Sequence, residues 1–147
     1  MLTLAVLVPL FGALALVLWP GVTAEKARRF ATAVAILPLL ALIAVWIGFD
    51  TGSGAPAFQS VVEVPWIPAL GVAWRLGVDG IALSIVLMSA LLFVAAIAWP
   101  ADTQGRARAY YAWFLFLMGA SLGLFLTLDL LLFYVFFDLS LVGMYFL

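Results

Sequence analysis

The sequence contains neither cysteine nor histidine. The first absence removes disulfides, thiolate-held Fe–S clusters and cysteine-based zinc sites together. The second leaves haem and most transition-metal centres without their usual ligand. Charge is scarce as well, at 9% of 147 residues, where a water-soluble globule carries about 25%. With six Lys or Arg against seven Asp or Glu, no basic field exists to hold nucleic acid. What fills the chain instead is apolar: 69% of residues, at a mean hydropathy of +1.33. Too little polar surface remains to cover a soluble fold, so the expected solvent is the lipid bilayer and the expected class an all-α polytopic membrane protein.

A membrane-crossing helix needs about 20 mostly apolar residues, and five such segments can be drawn, at about 2–19, 30–46, 81–99, 109–127 and 130–147. The first has no basic n-region or small-residue cleavage site, so it reads as an anchor and not as a removed signal peptide. Pro38 lies inside the second, which a bilayer tolerates where a neighbouring helix satisfies the freed carbonyl. Residues 109–147 would be roughly 58 Å long as one helix, about twice the hydrocarbon core, so the chain must reverse once. The reversal falls at Thr127-Leu128-Asp129, where Thr127 or Asp129 can cap the fifth helix.

Residues 50–80 differ, being rich in Gly and Pro. Val61 to Val64 and Val72 to Leu76 flank Pro65 to Gly71 as an extramembrane β-hairpin, with Trp66 and Trp74 suited to the headgroup layer. Basic residues set the orientation. Lys26, Arg28, Arg29, Arg106 and Arg108 fall in the first and third loops and only Arg75 on the other side, which places those loops inside and the N-terminus and hairpin outside.

Six of the seven acids sit in loops or at helix ends; Asp79, in Gly77-Val78-Asp79-Gly80, reads as the cap of the third helix. Asp138 does not fit that pattern. It is ninth of the 18 residues from Leu130 to Leu147, and an acid at such depth costs about 2.5–3.5 kcal/mol on insertion scales. A basic partner, a water-filled cavity or protonation must offset that cost. Burial favours the neutral acid and a nearby cation the carboxylate, so a moving partner makes such a group a proton relay. Helical spacing puts Tyr134, and more distantly Tyr145, near the same side. The alternatives are that Asp138 only ties helices together by hydrogen bonding, or that another hairpin boundary brings it to the surface. Ser84, Ser89 and Ser121 could extend a hydrated path or bond back to their own backbone. Gly119 and Gly123 form a small-xxx-small pair suited to close helix packing.

The run Asp129 to Leu147, Asp-Leu-Leu-Leu-Phe-Tyr-Val-Phe-Phe-Asp-Leu-Ser-Leu-Val-Gly-Met-Tyr-Phe-Leu, resembles the fifth-helix signature of the antiporter-like M subunit (chain 4 type) of respiratory complex I. Leu76 to Ser84 is similar to the same family's lead into helix three, and Trp66-Ile67-Pro68 to its preceding motif. The resemblance implies a subunit that moves protons while electrons pass from NADH to quinone in other subunits. NADH, FMN, Fe–S clusters and quinone would then belong to those subunits, and none to this chain. It also implies partners among the other membrane subunits, a bacterial plasma-membrane location, and a chain corresponding to the N-terminal portion of a much longer protein. In that family the acid of helix five is a glutamate paired with a lysine two helices later. Asp138 stands at its position, one methylene shorter, and Gly143 stands where proline is usual. A multisubunit Mrp-type cation/proton antiporter shares much of the motif, and a structural subunit that transports nothing is the remaining alternative.

Overall fold

The computed structural model describes residues 1–147. Five helices and one hairpin follow in the order α1 (Leu2–Val17), α2 (Ala24–Ile47), β1 (Gln59–Ile67), β2 (Val72–Val78), α3 (Gly80–Ala98), α4 (Ala107–Leu126) and α5 (Leu130–Phe146). Helices α2, α3 and α4 are long and apolar enough to cross a membrane; α1 and α5, of 16 and 17 residues, are shorter apolar helices.

Local chemistry accounts for where the helices begin. Helix α2 starts six residues before the apolar run that predicts it, because the Thr23 hydroxyl accepts the Lys26 N–H and Glu25 pairs with Arg29 one turn on. The charged first turn therefore continues the helix beyond the apolar segment. Helix α3 starts at the expected cap, with the Asp79 carboxylate accepting the Ala82 N–H at 2.7 Å. Asp79→Ala is expected to cost about 1 kcal/mol in a denaturant titration in detergent, and Asp79→Asn much less, because Asn caps nearly as well.

Helix α4 is the axis of the bundle, touching all four other helices. Tyr111, Leu115, Met118, Leu122 and Leu126 of α4 are buried. Small residues make the close contacts around it: Ala27, Ala31 and Ala35 of α2 are wholly buried at helical spacing, while Leu37, Leu40 and Trp46 of the same helix are exposed. Burying small side chains and exposing large ones is the pattern of a bundle whose solvent is lipid.

The hairpin is longer than its β-forming runs. Gln59 holds the start of β1 by exchanging two hydrogen bonds with the Asp50 backbone, at 2.8 and 2.6 Å. Gly71, at φ +67°, supplies the left-handed turn before β2. Glu63 and Arg75 are direct cross-strand partners and form a 2.7 Å ion pair. Strand β2 lies against the bundle, with Leu76 and Val78 fully buried, and β1 lies outside it.

Candidate functional site

The turn into α5 is held from several directions. The Asp129 N–H donates to the Thr127 hydroxyl, and Asp129 Oδ1 accepts the Leu131 and Leu132 N–H groups at 3.0 and 3.2 Å. Asp129 is thus the cap, and Thr127 supports it. Its second oxygen, Oδ2, accepts the Ala73 N–H of β2 at 3.3 Å, and the Leu128 N–H donates to the Arg75 carbonyl at 2.9 Å. One carboxylate therefore both starts α5 and fastens it to the hairpin.

These contacts set the Asp129 carboxyl below its ordinary value of 3.8. The Leu132 N–H contributes most, then the Ala73 N–H; desolvation opposes them by less than either, and Leu131 and the Arg75 guanidinium add smaller lowering contributions. Because the folded carboxyl is the stronger acid, its contribution to stability is complete above the unfolded value and is lost as pH falls below it and through the folded value. Protection of the Ala73 and Leu132 amides against hydrogen exchange, taken relative to the free-peptide rate at the same pH, is expected to fall below about pH 4. In Asp129→Ala, which removes both acceptor oxygens, the low protection should already be present at neutral pH and should not change further through this range.

One side of α5 packs and the other does not. Phe136 sits in the notch left by Gly123 of α4, and Gly143 lies against Phe116 and Leu117. The Trp74 ring meets Phe136 edge-on at 5.7 Å, and its indole N–H donates to the Thr3 hydroxyl at 3.3 Å. Trp74 is therefore turned inward, half-buried, to join β2, α1 and α5, while Trp66 is exposed. No sequence signal distinguished the two tryptophans, since the difference depends on which strand faces the bundle.

Asp138 lies mid-way along α5, about 13 Å from the cap at Asp129. The alternative hairpin boundary that would bring it to the helix end is excluded. Its side chain is exposed on the face turned away from α1 to α4, and it forms no hydrogen bond or ion pair within the chain. Tyr134, one turn before it, is 62% exposed and Tyr145 is 83% exposed, so the acid and both hydroxyls share the outward side without touching the rest of the bundle. The serines contribute less: Ser84 bonds back to the Gly80 carbonyl at 2.9 Å and Ser140 to the Phe137 carbonyl at 2.7 Å.

A lipid-exposed helical bundle, a hairpin clasped to one end and an acid at the middle of an apolar helix define a multi-pass membrane protein. The particular relatives are subunits of quinone-reducing complexes. Over 98% of its length the chain is homologous to NAD(P)H-quinone oxidoreductase chain 4 proteins. It is 34% identical over 145 residues to one from Thermosynechococcus vestitus and 34% identical over 146 residues to NADH-ubiquinone oxidoreductase chain 4 of Chondrus crispus. It spans 27% and 29% of those two proteins, about a quarter of their length. In structure it matches a chain of respiratory complex I from Thermus thermophilus with a TM-score of 0.76 at 28% identity, covering 97% of this chain and 27% of that one. A chain of an archaeal membrane-bound sulfane sulfur reductase shares the fold, with a TM-score of 0.71 at 16% identity, over 95% of this chain and 21% of that one. No protein-family model matches the sequence.

Proposed function

We propose that the chain acts as a portion of a proton-translocating membrane subunit of an NADH:quinone oxidoreductase, with Asp138 as the acid that takes up and releases the proton. The observation that carries this reading is the position of Asp138. It is half-way along an apolar helix, on the side the bundle leaves open, in a chain homologous to complex I subunits.

An acid placed there must gain a partner or water from another element, because the bilayer offers neither. A cation approaching this face favours the carboxylate; its withdrawal favours the neutral acid. Alternation between the two moves a proton at the Asp138 carboxyl. Tyr134, whose hydroxyl lies on the same side, is positioned to hydrogen-bond the acid or a water beside it. This chain's contribution is the titrating group and its mounting. Electron transfer from NADH to quinone belongs to other subunits, and further membrane subunits are the partners that would cover the outward side of α5. The five basic residues near the starts of α2 and α4 support an orientation with the N-terminus and hairpin outside.

The test compares proton pumping with NADH oxidation in membranes assembled with Asp138→Asn. Loss of pumping per electron pair supports the reading, and unchanged pumping at unchanged coupling would falsify it.

A further inference from the structure

A second feature of the bundle is independent of Asp138. Helices α1 and α5 both pack on α4 and leave a groove of about 540 Å³ between them at the basic end. Leu14 and Val17 form one wall, Leu139 and Val142 the other, and Ala112 and Trp113 the floor, with Ala109 at the mouth. The lining is apolar apart from Arg108, at the first turn of α4, where the groove opens. The Arg108 guanidinium forms no ion pair or hydrogen bond within the chain. Trp113 stacks on Phe146 at 4.8 Å with the rings nearly parallel, which fixes its indole as a rigid wall. A second apolar hollow of about 370 Å³ shares Leu10 and Leu139 with the first, so the groove continues towards the hairpin.

We infer that this groove is a binding site for an anionic phospholipid, its phosphate paired with Arg108 and its acyl chains lying along α4. The argument is complementarity of two kinds. An acyl chain makes no hydrogen bonds, so a lining without polar groups loses nothing by taking one. The only charge in the lining is positive and lies at headgroup depth, on the side that carries five of the six basic residues. Anionic lipid is attracted to such a side. A zwitterionic lipid fills the same groove but brings no net charge to Arg108.

The whole chain, reconstituted in phosphatidylcholine vesicles, tests this with a small fraction of phosphatidylglycerol or phosphatidylcholine carrying a photoactivatable group on the acyl chain. Labelling of the peptide containing Ala109 and Trp113 is expected to be about fivefold higher with the anionic probe, the factor that one basic residue contributes beside an anionic surface. Arg108→Gln should bring the anionic probe down to the phosphatidylcholine level, and Arg108→Lys should retain the preference. Ala109→Phe fills the mouth of the groove and should reduce both labels. Arg108 and Ala109 are exposed, so these changes disturb no packing. Equal labelling by the two probes, or a preference that survives Arg108→Gln, overturns the inference. So does acyl-level cross-linking to another protein helix when the same probes are used in assembled native membranes.

Discussion

Proton pumping is expected to fall to background in Asp138→Asn, while the isosteric amide leaves the packing of α5 unchanged. Asn keeps the size and hydrogen-bonding capacity of Asp but cannot exchange a proton, so a loss of pumping separates titration from helix-tying. If Asp138 only ties helices together, the amide serves as well and pumping persists. The packed side of α5, made by Leu132, Phe136 and Gly143, is untouched by the change, so assembly should be normal. Asp138→Glu is expected to retain activity, because the added methylene extends the carboxyl into the open side and not into α4. NADH oxidation measured in the same membranes distinguishes uncoupling, with oxidation continuing and no protons moved, from a block of the whole cycle.

The second large effect is expected at Gly119. A Cβ there would lie 2.7 Å from Leu10 Cγ and 3.1 Å from the Val6 carbonyl oxygen. Leu10 can change rotamer, but the Val6 carbonyl is backbone, so α1 itself must move. Overpacking of this kind costs about 1–3 kcal/mol, against at most about 1 kcal/mol gained from better helix propensity. Gly119→Ala is therefore expected to be destabilising and Gly119→Leu to undock α1. Denaturant titration in detergent and the amount of chain retained in membranes read both. Gly48 provides the control: a Cβ there meets nothing closer than 3.7 Å, so Gly48→Ala should be close to neutral. Equal effects at the two positions would show that α1 does not press on α4 as described.

The deep acid was legible because its identity violates its surroundings: one carboxylate among apolar residues needs no contact map to be noticed. The caps at Asp79 and Asp129 were legible for a similar reason, since a short acid before an apolar run satisfies N–H groups two or three residues away. The start of α2 was misplaced because hydropathy marks where lipid begins, whereas Thr23 and Glu25 mark where the helix begins. The contacts of Trp74 were not legible, because an indole suits either a headgroup layer or a buried joint with a hydrogen-bond partner.

Sequence alone determined the five apolar segments, the position of the hairpin turn, the charge asymmetry and the presence of Asp138 half-way along α5. Each of these follows from groups within a few residues of one another. Tertiary structure decided which side of each helix is buried, because in helices apolar all round the periodicity that would reveal a face is absent. It placed α4 at the centre and divided a glycine pair between two neighbours, Gly119 to α1 and Gly123 to α5. It also joined Asp129 to Ala73, 56 positions earlier in the chain. A carboxylate with two acceptor oxygens can serve a helix and a strand together, but only the packing of the hairpin on the bundle brings the second donor within reach.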